Sequence, residues 1–263
     1  MRASEVYLLK TRDVLKRETL ADQVAQQLME HIQNTAMAPG DQLPLEGEMA
    51  DMFGISRPVV REALGQLKSI GLVEMHSGRR PMVQPIDGKL PGLFFKLSLA
   101  LDSGSVQELL EVRRGLEVQS AILAAQRAGE DDCRRLEETV ALMKKHLDEK
   151  DHRAFIDLDV QLHLLIASAS RNAMLYNLIA SIRGPMRESI AHGIAARNSQ
   201  RELQRIHVLH SDVVTAIRMG DGAAAAVAMA AHFDDALISI VADRVAGRPI
   251  GGGESDGNAN EQD

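Results

Sequence analysis

The stretch from Leu43 to Leu64 constrains this chain most, because it reads as two short helices joined by a tight turn, the second opening with arginines. Gly54-Ile55-Ser56 makes the turn: Gly54 is free to take the positive φ that ends one helix, and the Ser56 hydroxyl is placed to cap the next. Pro58 then falls in the first turn, where a missing N–H costs little. Val60, Ala63, Leu67 and Ile70 recur at helical spacing as a packing face, while Arg57, Arg61 and Lys68 gather on another. A helix so divided fits the major groove of double-stranded DNA, where arginine grips guanine edges or phosphates. The same residues also fit a plain solvated basic face.

Upstream, Leu20, Val24, Leu28 and Ile32 repeat every fourth residue, which predicts an amphipathic helix from Thr19 to about Gln33 packing on the pair. Downstream, residues 71–76 and 81–85 read as two short strands around Ser77-Gly78-Arg79-Arg80, a turn with two positive charges at its tip. At this point the chain resembles the GntR family of bacterial winged-helix regulators, through Pro39-Gly40-Asp41-Gln42-Leu43-Pro44, Ser56-Arg57-Pro58-Val59-Val60-Arg61-Glu62-Ala63-Leu64 and Gly71-Leu72-Val73. The resemblance implies an operator-binding surface of Ser56, Arg57, Arg61, Lys68, Arg79 and Arg80. Two positions depart from the family pattern: Gly47 stands where a basic residue is common, and Arg80 where the wing commonly has glycine.

The net charge of −7 is unusual for a DNA binder until it is divided along the chain. Residues 1–85 hold ten Lys/Arg and eleven Asp/Glu, so nearly all of the excess negative charge lies beyond them. Affinity for DNA must then come from a local basic surface. A length of 263 residues with 45% hydrophobic side chains suits two domains with real cores. The single cysteine, Cys133, excludes an intramolecular disulfide and suits a reducing cytoplasm. The alanine-rich run from Ala223 to Ala231 is too short to span a bilayer, so no membrane partner is expected.

Prolines and glycines interrupt the periodicity near Gln84–Gly92. The expected division is a winged helix-turn-helix domain at 15–85, a linker with a short helix from Phe94 to Leu101 within 86–104, an all-α domain at 105–247, and a glycine-rich, acidic, disordered tail at 248–263. The fold class is therefore mainly α: three helices with a small β-wing, followed by an antiparallel bundle of six or seven helices. Six main helices are expected near 105–127, 130–149, 151–170, 172–197, 199–219 and 221–246. Ser105 with Glu108 and Ser199 with Glu202 have capping-box spacing, and Gly220-Asp221 ends one helix and caps the next.

Within the helical part, Asp159 and His163 stack on one face at four-residue spacing, and His210 and His232 lie on the last two helices. A carboxylate and three imidazoles suit a divalent ion such as Zn, Ni, Mn or Fe, although this spacing also arises by chance in helical chains. This part resembles the FCD effector-binding domain of the FadR subfamily, through Glu108-Leu109-Leu110-Glu111-Val112-Arg113-Arg114-Gly115-Leu116-Glu117, Asp159 with His163, Asn172, His210 and His232. The resemblance implies a metal held by Asp159, His163, His210 and His232, and an effector site including Arg113 and Asn172. His207, three residues before His210, is a rival ligand or a supporting group. For Arg113 the alternative is an ion pair with Glu117, and Arg114 is the neighbour to be distinguished from it.

These readings converge on a cytoplasmic, homodimeric transcriptional regulator of a two-fold operator, most simply a repressor, controlled by a small organic acid bound beside the metal. A metal sensor, in which the ion itself is the signal, is the alternative. A bundle metalloenzyme is disfavoured because no H-E-x-x-H occurs and no separate acid or base is marked beside the four ligands.

Overall fold

The computed structural model of the protein describes residues 18–101, 105–195 and 200–245. The expected tail at 248–263 and the Ser199 half of one capping pair lie outside the described residues. The chain forms two compact units, Met1–Asp87 and Gly88–Asp263.

The first unit contains α1 (Leu20–Asn34), α2 (Glu46–Phe53), α3 (Arg57–Ser69) and an antiparallel pair, β1 (Val73–Glu74) with β2 (Met82–Val83), in which Val73 faces Val83. Thr19 and Asp22 close a capping box at the start of α1. Its buried stripe is Ala21, Val24, Ala25, Leu28 and Ile32; Leu20, expected in that stripe, is the first helical residue and stands 57% exposed. Gly54 ends α2 at φ 66°, a left-handed conformation that glycine takes without a Cβ clash. Ser56 occupies the cap position of α3 with extended backbone, but its hydroxyl makes no cap bond, so the start of this helix rests on Pro58 and on backbone bonds to the Ser56 carbonyl.

Val60, Ala63, Leu64 and Leu67 bury the inner face of α3. Ile70, expected on that face, lies one residue past the last turn and is exposed, whereas Leu64 is fully buried. These side chains meet Val24, Leu28, Leu43, Met49, Val73 and Val83 in one core. A bridge between Gln42 and Met82, with Leu43 N–H donating to the Pro81 carbonyl, ties the chain entering α2 to the strand leaving the wing.

The second unit is helical throughout its described residues: α4 (Lys89–Leu101), α5 (Ser105–Arg127), α6 (Glu130–Asp148), α7 (His152–Ala169), α8 (Ala173–Ala195), α9 (Gln200–Arg218) and α10 (Gly222–Val245). Gly220 at φ 71° and the Asp221 carboxylate, which accepts from Ala224 N–H, end α9 and open α10. Asp151 caps α7 in the same way. Helix α6 packs on α7, α7 on α8 and α9 on α10, and α5 packs against α7, α8, α9 and α10 at the centre of the bundle. Phe155, Leu162, Ile166, Met143, Met229 and Phe233 are among its buried side chains. No described helix is long and apolar enough to cross a membrane.

Helix α4 begins five residues earlier than expected. Pro91 does not delay it, because in a first turn no backbone N–H is needed. Gly88 lets the start of α4 press against α8: a Cβ there would stand 2.6 Å from the Asn177 carbonyl oxygen and 2.8 Å from the Ser181 Cβ. Gly88→Ala is accordingly expected to lower stability by about 1–3 kcal/mol through overpacking against backbone. Gly65→Ala on α3, where a Cβ meets nothing within 4 Å, should raise it by about 0.5–1 kcal/mol through helix propensity. Denaturant melts of the two variants compare them directly, and equal effects would contradict the packing.

Candidate functional site

The first candidate surface is the exposed side of α3 and the wing. Arg57, Arg61 and Lys68 lie on the solvent face of α3, and Arg79 and Arg80 at the wing turn. Three consecutive residues at the start of α2 each meet one of these arginines. Arg61 donates from Nε and Nη2 to Glu46 Oε2 at 3.1 and 2.7 Å. The Arg57 guanidinium lies across Gly47, with Nη2, Cζ and Nε 3.1–3.4 Å from where a Cβ would stand. Arg80 places Nη1 and Nη2 on the two oxygens of Glu48, both at 2.8 Å. Glu48 also accepts from Leu45 N–H, and these bonds hold its carboxyl below the usual range.

The second is a polar cluster inside the bundle. Asp159 and His163 come from successive turns of α7, His210 from α9 and His232 from α10, and one donor atom from each lies within 4.8 Å of all the others. Asp159, His163 and His210 are almost fully buried. Asp159 Oδ1 is 3.0 Å from His210 Nε2 and 3.8 Å from His163 Nε2, and those two imidazole nitrogens face each other at 3.3 Å. The His232 ring centre lies 4.4 Å from that of His210 and 5.0 Å from that of His163.

Two further residues hold this cluster in place: Glu117, which the sequence offered only as an ion-pair partner for Arg113, and Arg183, which it did not mark. Glu117 on α5 sets Oε2 against His163 Nδ1, which fixes that nitrogen as the N–H donor and turns the Nε2 lone pair inward. Arg183 on α8 donates from Nη1 to Asp159 Oδ2 at 3.1 Å and from Nη2 to Glu117 Oε2 at 3.0 Å. Arg113 on α5 donates from Nε to Glu117 Oε1 at 3.0 Å, and its guanidinium carbon lies 5.1 Å from the Phe233 ring centre. The ion pair weighed as an alternative for Arg113 is therefore present, and the residue is buried inside the same network. A signal for Arg183 was legible: it interrupts the buried stripe Leu175, Ile179, Ile182, Met186 with a charge.

The neighbouring candidates lie elsewhere. Arg114 is on the surface, paired with Asp234 at 2.9 Å. His207 points to α6, where its Nε2 meets the Val140 carbonyl at 3.2 Å. Asn172 caps α8, its side-chain oxygen accepting from Met174 and Leu175 N–H at 3.1 and 3.2 Å.

Burial pushes the His163 imidazole down to about 4, an effect reinforced by the Arg183 charge, and burial beside two imidazoles holds His232 well below its ordinary value. Burial alone would raise Asp159 and Glu117. The bond from His210, the His163 ring and the Arg183 charge, for Asp159, and the Arg183 charge, the His163 ring and the Arg113 charge, for Glu117, outweigh it and hold both carboxyls well below the usual range. The cluster thus sets two carboxylates and two guanidiniums around three imidazoles, with His210 Nε2 placed to donate to Asp159 Oδ1 and His163 Nε2 facing it. The buried Nδ1 atoms of His210 and His232 have no hydrogen-bond partner among the described residues. Lone pairs converging with one carboxylate form a donor set for a divalent ion.

Because the folded chain resists protonating His163, the unfolded chain takes up that proton first. The associated stability is complete above pH 6.5 and lost as the pH falls through about 4, and the depressed carboxyls act with the same sign at lower pH. In chelator-treated protein, denaturant midpoints are expected to be flat above pH 6.5 and to fall steadily toward pH 4, the histidine contributing on the order of 3 kcal/mol. His163→Gln should be less stable at neutral pH and show a shallower fall. An identical pH profile in the two proteins would contradict the burial of a neutral imidazole.

Comparison with known proteins adds an independent line. Residues 20–83 match the family described as bacterial regulatory proteins, gntR family, and residues 108–235 match the FCD domain. The chain is 32% identical over 203 residues to the HTH-type transcriptional regulator LutR of Bacillus subtilis, which spans 76% of this chain and 92% of that protein. Against the HTH-type transcriptional repressor NanR of Edwardsiella tarda it is 28% identical over 236 residues, covering 87% and 88%. The solved structure of Streptococcus agalactiae GntR has the same fold, with a TM-score of 0.65 at 24% identity over 83% of this chain and 99% of that one.

Proposed function

The chain belongs to the GntR family of bacterial regulators, in the branch that carries an FCD domain, and is a DNA-binding transcriptional regulator rather than an enzyme; on that premise we propose that it is a repressor released by a small carboxylate bound at the Asp159–His163–His210–His232 cluster. The observation that carries this reading is the convergence of those four donors from three helices in a buried network that also contains Arg113 and Arg183. The donor set fits a divalent ion of the Zn, Ni, Mn or Fe type, and such an ion supplies a Lewis-acid seat for a carboxylate oxygen. Glu117 orients His163, Arg183 orients Asp159, and Arg113 would offer a guanidinium to the anion. NanR relatives described as repressors support the direction of control.

In the first unit, Ser56, Arg57, Arg61 and Lys68 on α3 and Arg79 and Arg80 on the wing are proposed to face the operator. One α3 helix and one wing cover few base pairs, so a homodimer on a two-fold operator doubles the contacts. An effector that prefers one arrangement of the bundle shifts the population of arrangements in which both heads engage DNA.

Three measurements test this. Arg61→Ala should weaken operator binding by about 1–3 kcal/mol at fixed salt without changing the melting temperature; unchanged affinity would remove α3 from the groove. Purified protein should carry a divalent ion whose content falls in His163→Ala, and a protein that binds no added Zn, Ni or Mn would leave the cluster as a plain polar core. In operator titrations against a panel of organic acids, Arg113→Ala should need about ten- to a hundredfold more of the active acid, while Arg114→Ala responds as wild type. The reverse outcome would transfer the role to Arg114.

A further inference from the structure

A guanidinium has two recognition edges, a side edge of Nε with one Nη and an end edge of both Nη atoms. Whichever edge the protein occupies is lost to DNA. Glu46 holds Arg61 by the side edge, and no described hydrogen bond uses its Nη1. The end edge of Arg61, two parallel donors of the kind that match guanine O6 and N7, therefore points away from its carboxylate partner. Arg80 is held the other way, with its end edge filled by Glu48. Arg57 lies flat against Gly47, where any side chain on α2 would crowd it. The Arg61 side chain is 68% exposed, so without Glu46 nothing in the described contacts would limit its rotamers.

We propose that Glu46 is a specificity-determining residue of the DNA-reading head: by gripping the side edge of Arg61 it presents the end edge to one guanine of each half-site. This inference rests on the reading of α3 as the helix that enters the major groove. Holding a long side chain in its bound orientation removes part of the ordering cost of the contact. It also ties up the hydrogens that a phosphate would otherwise attract, so that the contact rewards a base more than the backbone. Glu48, by contrast, fastens the wing arginine to the first turn of α2 by its end edge, so that Arg80 has its side edge rather than its end edge to offer another acceptor.

The test uses the full-length protein and an operator selected from a random-sequence duplex library with the wild type. Each guanine of the selected site is then replaced in turn, and binding of wild type, Arg61→Ala, Glu46→Ala and Glu48→Gln is measured. Arg61→Ala is expected to erase discrimination at one guanine per half-site. Glu46→Ala should reduce discrimination at that same guanine by about three- to tenfold, while affinity for a mixed-sequence duplex stays level or rises, because a carboxylate near the phosphates has been removed. Glu48→Gln, which keeps an acceptor for the Leu45 N–H, should leave that guanine's discrimination unchanged. A Glu46→Ala profile equal to wild type, with Arg61→Ala defective, would overturn the positioning role alone. Full discrimination in Arg61→Ala would overturn both this role and the placement of α3, and the two failures are distinguishable in one experiment.

Discussion

The carboxylate of Glu117 has three partners on three helices: Arg113 on its own α5, His163 on α7 and Arg183 on α8. A buried carboxylate is costly unless it is paired and hydrogen-bonded, and here each oxygen has a cation or an N–H against it. The orientation of His163, the pairing of Arg183 with Asp159 and the place of Arg113 beside Phe233 all follow from that one group. The apolar packing of the bundle brings the helices together, and this ionic centre sets their rotation about their own axes. A helix turned out of register would leave a charge unpaired in the core.

The head is built on the opposite rule. Its core is wholly apolar, from α1, α2, α3 and the two strands, and its charges are confined to the rim. There the first turn of α2 meets Arg61, Arg57 and Arg80 in succession, two through carboxylates and one across a glycine. Pairs this exposed add little stability. Their effect is on where long, otherwise mobile side chains stand.

Much of this was legible in the sequence, for physical reasons that can be named. Gly54 and Gly220-Asp221 announce helix ends because few other residues tolerate those backbone angles or supply that cap. Asp159 and His163 read as one face because the helical repeat stacks every fourth residue. Periodicity reports which side of a helix is apolar, but not which neighbour it meets. Leu20 and Ile70 continue a stripe in sequence yet fall at helix ends with nothing to pack against. Glu117 reads locally as a partner for Arg113 four residues before it, but its bonds to His163 and Arg183 span 46 and 66 residues and Arg183 reaches Asp159 across 24, so only packing reveals that these groups share one centre. The early start of α4 was hidden for a related reason: Pro91 reads as a breaker unless it is known to stand in a first turn.

The charges of the buried centre also have a sum. Arg113 and Arg183 carry two positive charges, Glu117 and Asp159 two negative ones, and burial holds the His163 and His232 imidazoles toward the neutral form. Replacing any one of the four by a neutral residue leaves a net charge sealed in a medium of low polarity, whereas removing an oppositely charged pair leaves none. The centre is therefore indivisible in single steps. A single neutral replacement at any of these four positions therefore costs the bundle more than removal of an oppositely charged pair, although no two of them are adjacent in the chain.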